Sequence, residues 1–310
     1  MAKFAFLFPG QGSQFAGMGR SLIEEFSEAR KVFEEADDTL GFSVSKLCFD
    51  GPEEELRLTE NTQPCLLTVS VAAYRVLESQ GFRPDYVAGH SLGEFSALVA
   101  AGSIPLAEGL KLVRKRGHYM QSAVPPGVGA MAALLRLPEG ELSYILEQAA
   151  QGEIVAAANF NSPDQIVIAG HKGAVTRAME LAKAAGAKRA IILPVSAPFH
   201  CALMKPAQER MREELQATAF ADPRFPLINN WQAREVRTGH EAQEGVYQQI
   251  PNPVRWTQSV RYLAKQGVTR CLEVGPGAVL TGLLRSIEPT LQGAKFGAAA
   301  DLQELEEVAV

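Results

Sequence analysis

The order of the apolar runs constrains the fold of this chain more than any other sequence feature. Short apolar runs bounded by turn residues, such as residues 4–8 and 86–89, alternate with longer amphipathic stretches, such as residues 21–38 and 64–80. This alternation predicts strands and helices in turn, which is typical of a mostly parallel sheet covered by helices. A late apolar run at residues 271–274 predicts one more buried strand. We therefore expect an α/β fold.

One segment departs from this alternation. After Pro125-Pro126-Gly127, the pattern predicts the order β-α-β-β-α-β within about 70 residues, which is the split βαβ arrangement. The sequence on both sides of it has the pattern of the larger domain. We therefore predict a large α/β domain formed by residues 1–125 and 196–310, interrupted by a small subdomain at residues 126–195.

Composition and charge argue against several classes of protein. The 310 residues, 46% hydrophobic and 21% charged, are typical of a globular protein with a sizeable core. The net charge of -5 argues against binding nucleic acid through many phosphates. No run approaches the roughly 18 apolar residues of a membrane span, and the four cysteines form no C-x-x-C pair. We expect a cytoplasmic protein that binds neither nucleic acid nor membrane.

A G-x-S-x-G motif, Gly89-His90-Ser91-Leu92-Gly93, lies between a predicted strand and a predicted helix. In such an elbow the serine occupies a sharp, strained turn, and the two glycines let strand and helix approach without a side-chain clash. A serine at a helix N-terminus is more often only a cap, but a cap does not require both glycines. Ser91 is therefore the candidate nucleophile.

A serine hydroxyl needs a base to take its proton, and histidine is the usual base near neutral pH. His200 follows an apolar strand within the proline-containing segment 194–200, the kind of loop in which catalytic side chains are held. A buried structural histidine is the alternative reading of this residue. The remaining histidines lie in segments of other kinds: His90, His118, His171 and His240.

The first predicted strand is followed by a glycine-rich loop, residues 9–14, which could cradle a phosphate. A dinucleotide fingerprint from Gly10 and Gly12 would need glycine where Phe15 stands, and a P-loop would need lysine where Met18 stands. The backbone N–H groups of this loop could instead stabilise an oxyanion. No set of residues has the spacing of metal ligands, so we expect no metal.

Seven segments of the chain, taken together, carry a resemblance. They are Phe8-Pro9-Gly10-Gln11-Gly12-Ser13-Gln14, Asn61-Thr62-Gln63-Pro64, Gly89-His90-Ser91-Leu92-Gly93-Glu94, Arg116-Gly117 with Met120-Gln121, Ser196-Ala197-Pro198-Phe199-His200, Asn252-Pro253-Val254-Arg255-Trp256 and Glu273-Val274-Gly275-Pro276-Gly277. In order and spacing they resemble the motif series of the malonyl-CoA:acyl carrier protein transacylases. The resemblance implies an α/β-hydrolase-like parallel-sheet domain with an inserted ferredoxin-like subdomain.

The resemblance also implies a ping-pong acyl transfer through a malonyl-serine intermediate. Ser91 would attack the thioester of malonyl-CoA while His200 takes its proton, and the backbone N–H groups of Gln11 and Leu92 would hold the oxyanion. This family orients its histidine with a backbone carbonyl in the Asn-Pro loop, here near Asn252. A dyad without an aspartate is therefore expected.

Further residues would bind the substrate if the resemblance holds. Arg116 would grip the malonyl carboxylate with two parallel hydrogen bonds, although an arginine in this basic stretch could also lie on a solvated helix face. Gln249 matches a glutamine of the acyl pocket, with Gln248 as the alternative register, and Gln11 would also contact the substrate. Malonyl-CoA is expected as substrate, with no permanently bound cofactor.

The expected partner is an acyl carrier protein, which is typically acidic, so the surface that binds it should be locally basic. Two stretches of the sequence are rich in cations: Lys111, Arg114, Lys115 and Arg116, and then Lys183, Lys188, Arg189, Lys205, Arg210 and Arg212. We expect a transient contact with the carrier and a monomeric enzyme.

Alternatives to this function remain open at the level of sequence. Fatty acid synthesis is the default pathway for a free-standing enzyme of this length, but a discrete acyltransferase of a polyketide pathway has the same motifs. A serine esterase or thioesterase also uses G-x-S-x-G, but needs an acid between serine and histidine in chain order. A nucleotide-binding module is the non-catalytic alternative.

Overall fold

A computed structural model describes residues 3–195 and 197–309, which form two sheets and the helices around them. The strands are β1 (Lys3–Phe8), β2 (Tyr86–Gly89), β3 (Gly129–Leu135), β4 (Val155–Ser162), β5 (Gln165–His171), β6 (Arg189–Ile192), β7 (Leu227–Ile228), β8 (Glu235–Val236), β9 (Val268–Val274) and β10 (Gln292–Phe296). The helices are α1 (Arg20–Glu25), α2 (Ser27–Leu40), α3 (Val44–Asp50), α4 (Glu53–Arg57), α5 (Thr59–Ser79), α6 (Leu92–Ala100), α7 (Leu106–Gln121), α8 (Glu141–Ala150), α9 (Lys172–Ala184), α10 (Lys205–Ala217), α11 (Gly239–Gln248), α12 (Trp256–Lys265), α13 (Val279–Ile287) and α14 (Asp301–Ala309).

The large domain is built on a six-stranded sheet with the strand order β10-β9-β1-β2-β7-β8. Its neighbouring strands are parallel, except that β7 and β8 are antiparallel. Phe6, Leu7 and Phe8 of β1 have no exposed surface, because helices cover both faces of this central strand. Strands buried on both faces have continuous apolar runs instead of an alternating pattern. The predicted mostly parallel α/β sheet is confirmed.

The segment with the different pattern forms a second sheet of four antiparallel strands, in the order β4-β5-β3-β6. The elements follow the chain order β3-α8-β4-β5-α9-β6, so the β-α-β-β-α-β arrangement is confirmed. One sheet face packs against α8 and α9, and the other joins the core of the large domain through residues such as Met131 and Val167. The subdomain boundaries after residues 125 and 195 stay a prediction, and Ser196 lies outside the described residues.

Backbone hydrogen bonds attach the small sheet to the large domain. Val254, just before α12, donates its N–H to the carbonyl oxygen of Ala158 at 2.9 Å and accepts from Phe160 N at 2.9 Å. The hydroxyl of Thr257 also donates to the carbonyl oxygen of Phe160 at 2.9 Å. These bonds hold β4 against the large domain.

Two helices differ from the predicted ones. The helix predicted at residues 21–38 is divided into α1 and α2, because Phe26 between them is extended with φ −118°. The helix predicted to begin near Pro64 begins at Thr59, so the proline lies inside α5. A proline has no N–H to donate to the carbonyl four residues earlier. That carbonyl, of Glu60, instead accepts from Arg114 Nη1 of α7 at 2.8 Å.

Candidate active site

Ser91 lies in a strained turn between β2 and α6. Its φ of 51° and ψ of −106° are values that a residue with a side chain rarely adopts. A Cβ at Gly89 would lie 1.9 Å from the backbone of Gly93, and a Cβ at Gly93 would lie 2.0 Å from the carbonyl oxygen of Phe8. The Ser91 side chain makes no capping hydrogen bond. Both glycines are therefore required by backbone contacts, as the elbow motif predicted.

Ser91 and His200, 109 positions apart in the chain, meet at this turn: Ser91 Oγ lies 2.8 Å from His200 Nε2. On the other side of the ring, His200 Nδ1 lies 3.0 Å from the carbonyl oxygen of Gln249. Because a carbonyl oxygen can only accept, the ring proton belongs on Nδ1. Nε2 is then free to accept the proton of the serine hydroxyl.

The orienting carbonyl is not the one that the sequence predicted. Gln249, three positions before Asn252, accepts the hydrogen bond from His200 Nδ1, and the Asn252 backbone has a smaller effect on the His200 pKa. Gln249 is the C-cap of α11, and the last carbonyls of a helix have no partner within the helix. The end of α11 therefore supplies the acceptor, and the expectation at Asn252 is corrected to Gln249.

The environment of His200 keeps its imidazole neutral. Burial is the main cause that lowers the pKa of His200, from 6.5 to about 3, and the nearby positive charge of Arg116 is the second. The ring is therefore unprotonated at neutral pH and can act as a base. The same environment disfavours the imidazolium that forms when the ring takes a proton.

Arg116 reaches the same cavity from α7, and its side chain is buried at 1% exposure. Nη1 donates to Gln63 Oε1 at 2.7 Å, while Nη2 donates to Gln249 Oε1 at 2.6 Å and to Ser91 Oγ at 3.1 Å. Burial lowers the pKa of Arg116 to about 10, so it stays charged at neutral pH. Its hydrogen-bond partners are neutral, and Glu94, whose charge raises the Arg116 pKa, makes no hydrogen bond to it. A buried guanidinium that no carboxylate contacts directly favours the entry of an anion.

The side chains of Gln249 and Gln248 have different surroundings. Gln249 is fully buried and contacts Arg116, whereas the Gln248 side chain donates to Glu244 Oε1 at 2.7 Å. The side chain of Gln249 also donates from Nε2 to the carbonyl oxygen of Ser91 at 3.1 Å. One residue thus contacts the nucleophile, the base and the arginine.

Gln11 and Leu92, the two residues predicted to supply the oxyanion donors, line the same cavity as Ser91. Gln11 follows β1 and Leu92 is the first residue of α6, where a helical N–H has no partner within the helix. In the described part of the chain, neither of these N–H groups donates to a protein acceptor. A Cβ at Gly10 would lie 2.3 Å from the carbonyl oxygen of His90, so glycine is needed for the loop to approach the elbow.

These groups surround a cavity with a volume of about 110 Å³ between the two sheets. Its lining residues are Gln11, Thr59, Gln63, His90, Ser91, Leu92, Arg116, Met120, Met131, Asn159, Leu193, Val195, Phe199 and His200. Within residues 3–195 and 197–309, no cluster of side chains could hold a metal ion, and no helix is long and apolar enough to cross a membrane.

Three further polar residues without a predicted role also form part of the site, namely Gln63, Glu94 and Asn230. Asn230 Oδ1 accepts from Ser91 N at 2.6 Å and its Nδ2 donates to the carbonyl oxygen of Gly89 at 2.6 Å, so this side chain holds both sides of the elbow. It follows β7, and ligand sites of parallel sheets lie at the carboxyl ends of strands. That position is the signal that could have identified it.

The fold and the motif series agree with one protein family. A family model described as acyl transferase domain matches residues 5–302, and the chain therefore belongs to the acyl transferase family. Within it, the malonyl CoA-acyl carrier protein transacylase of Escherichia coli strain K12 is 50% identical over 292 residues, which cover 94% of each chain. The predicted family resemblance is confirmed.

Solved structures agree with this assignment. An acyl carrier protein S-malonyltransferase from Vibrio cholerae superposes with a TM-score of 0.96 at 46% identity, over 98% of this chain and 100% of that one. A malonyl-transacylase in complex with its type II polyketide synthase acyl-carrier protein gives a TM-score of 0.96 at 46% identity, over 99% and 100% of the two chains.

Replacing Gly93 by alanine should disrupt the elbow, because the new methyl group would lie 2.0 Å from Phe8 O. Overpacking typically costs about 1–3 kcal/mol, and backbone movement would separate Ser91 from His200. Thermal unfolding and the rate of Ser91 acylation measure the two effects. The matched control is Gly282→Ala in α13, where a Cβ meets nothing within 4 Å and helix propensity should add up to about 1 kcal/mol. Equal behaviour of the two variants would contradict the steric explanation.

Proposed function

We propose that the protein transfers the malonyl group of malonyl-CoA to the phosphopantetheine thiol of an acyl carrier protein, through a malonyl ester of Ser91. One observation carries this proposal: Ser91 Oγ lies 2.8 Å from the base His200 and 3.1 Å from the guanidinium of Arg116. In malonyl, a single CH₂ separates the carboxylate from the thioester carbonyl. The cation that binds this carboxylate must therefore lie close to the nucleophile, as Arg116 does.

In the first half-reaction, Ser91 Oγ attacks the thioester carbonyl while His200 Nε2 takes the hydroxyl proton. The oxyanion accepts hydrogen bonds from the N–H groups of Gln11 and Leu92, and losing one such donor typically costs about 3 kcal/mol in the transition state. The C–S bond then breaks, and coenzyme A leaves as a thiol with the proton from His200.

The second half-reaction reverses these steps with a different thiol. His200 takes the proton of the carrier's pantetheine thiol, and the sulfur attacks the carbonyl carbon of the malonyl ester. Collapse of the intermediate breaks the bond to Ser91 Oγ, which recovers its proton from His200. The malonyl thioester of the carrier is the product, and the enzyme returns to its starting state.

The malonyl carboxylate would also assist the proton transfer. The charge of Arg116 contributes to the low pKa of His200 and disfavours an imidazolium. A carboxylate on Arg116 balances that charge, so the imidazolium formed during attack costs less free energy. An acetyl group cannot do this. Arg116 would therefore favour malonyl in binding and in the chemical step.

The most direct test is the intact mass of the protein after incubation with malonyl-CoA. We expect one malonyl adduct on Ser91, which disappears when an acyl carrier protein with its pantetheine arm is added. The Ser91→Ala variant should form no adduct. Rapid release of free malonate would indicate a hydrolase instead, and the absence of any adduct would reject both enzymatic functions.

Replacing Arg116 by alanine should lower malonyl transfer by about 30- to 3000-fold, because losing one partner of a buried charge pair costs about 2–5 kcal/mol. Acetyl transfer should be unchanged or higher. The measurement is the acylation rate of Ser91 with each acyl-CoA. Lys115→Ala is the matched control, since Lys115 is on the same helix but pairs with Glu214 at the surface. An equal loss with both acyl groups would refute the carboxylate role.

The carrier-binding surface is a further part of the proposal. Lys183, Lys188 and Lys205 are exposed, and the ion pairs among the described residues do not involve them. In the other cationic stretch, Arg116 is buried in the cavity and Lys115 is paired with Glu214. The three lysines therefore offer an acidic carrier more free charge.

Reversing the charge of Lys183, Lys188 or Lys205 to glutamate should raise the KM for the carrier by about 2- to 10-fold per site at low salt. Added salt should weaken carrier binding to the unmodified protein. Lys31→Glu makes the same charge change on α2 and should leave the KM for the carrier unchanged. Transfer rates that do not depend on salt would rule out this surface.

Fatty acid synthesis is the pathway that we propose, with the protein acting as a cytoplasmic monomer. The cavity supports the monomer, because one chain supplies the nucleophile, the base and the cation. Supply of malonyl units to a polyketide synthase is the second candidate, favoured by the relative solved with a polyketide carrier. Comparing the KM values for carriers of the two pathways separates the roles.

A further inference from the structure

Glu94 is a buried carboxylate in the first turn of α6, with no exposed surface. Its Oε2 accepts from Gln249 Nε2 at 2.7 Å and from Asn230 N at 3.0 Å, while Oε1 has no hydrogen-bond partner. A buried carboxylate without a direct counter-ion is costly. Its two hydrogen-bond donors are neutral amide groups. The role of Glu94 should therefore depend on how it holds these amides.

The side-chain amide of Gln249 has two ends that are not equivalent, a carbonyl oxygen that accepts and an NH₂ group that donates. In the structure, its NH₂ group faces Glu94 and its Oε1 accepts from Arg116 Nη2 at 2.6 Å. Turning the amide by about 180° would place NH₂ against the donor of Arg116 and Oε1 against the acceptor of Glu94. Both contacts would then be repulsive.

We propose that Glu94 is a positioning residue that fixes the amide of Gln249 and thereby aims the guanidinium of Arg116 at the substrate carboxylate. The hydrogen bonds form a continuous series: Gln249 donates to Glu94, Arg116 donates to Gln249, and the same Nη2 donates to Ser91 Oγ. Glu94 acts only through Gln249 and does not touch the substrate. The inference rests on the proposed malonyl transfer.

The acceptor oxygen of Glu94, and not its charge, does the positioning. Burial raises the pKa of Glu94 to about 7, so both protonation states occur near neutral pH. The proton belongs on Oε1, because Oε2 already accepts from two donors. Oε2 therefore remains an acceptor in either state. A glutamine at position 94 would present a carbonyl oxygen in the same place.

The test compares Glu94→Gln, Glu94→Asp and Glu94→Leu in single-turnover acylation of Ser91 by malonyl-CoA and by acetyl-CoA. Glu94→Gln keeps the acceptor without the charge, and its kinetics should stay within about threefold of the unmodified protein. Glu94→Asp keeps the charge but withdraws the acceptor by one CH₂. The Asp and Leu variants should both need about tenfold more malonyl-CoA for half-maximal acylation. Their rates of acetyl transfer should change by less than about threefold.

A double-variant experiment tests the route through Gln249. Gln249→Leu removes the amide but keeps the backbone carbonyl that orients His200. In that background, Glu94→Leu should cause no further change in the ratio of malonyl to acetyl transfer. An additional loss of selectivity would show that Glu94 acts by another route and would overturn the inference.

Other outcomes are equally decisive. If Glu94→Asp behaves normally and Glu94→Gln does not, the charge matters and the positioning role is wrong. If all three variants lose malonyl and acetyl transfer in the same proportion, Glu94 is only structural. If Glu94→Leu does not fold, the Asp and Gln variants still decide whether Glu94 has the positioning role.

Failure of the unmodified protein to form a malonyl adduct would reject the proposed function, whereas an unchanged acyl selectivity in folded variants would reject only the role of Glu94.

Discussion

The contact between the backbone of Gly93 in α6 and the carbonyl of Phe8 at the end of β1 sets the position of the whole site. It brings the start of α6 against the end of β1, so that Leu92 and the loop carrying Gln11 line the same cavity. Ser91, which directly precedes α6, has a φ of 51°, in a region that costs a residue with a side chain about 1–3 kcal/mol. The two hydrogen bonds of Asn230 to the elbow offset part of this strain.

Two buried groups of the site have pKa values shifted in opposite directions. His200 falls from 6.5 to about 3, so below pH 6.5 the folded state binds fewer protons than the unfolded chain and loses stability as the pH falls. Glu94 rises from 4.5 to about 7, so between these values the folded state binds more protons and gains stability as the pH falls. From pH 6.5 to 4.5 the two effects oppose each other. In that range, the contributions of the two groups to the pH dependence of the unfolding free energy partly cancel.

Much of the fold and part of the site could be predicted because they depend on side-chain type. Continuous apolar runs marked β1 and β2, and the elbow glycines marked Ser91. The orienting carbonyl could not be found in this way, since every residue carries one, and its identity depends on where α11 ends. Asn230 could not be predicted as a site residue, because its partners are the backbone atoms of Ser91 and Gly89. The edge strand β10 could not be predicted from an apolar run either, because it is mostly exposed and has no long one.

Pro64 has an effect beyond its own helix. By leaving the carbonyl of Glu60 without a helical donor, it provides an acceptor at one fixed height along α5, and Arg114 of α7 occupies it. Sliding α7 along α5 by one turn would break this bond. It would also separate Arg116, two residues later, from Gln63, which precedes the proline. A missing donor in one helix thus sets the axial register of its neighbour, and with it the depth at which the cavity holds its positive charge.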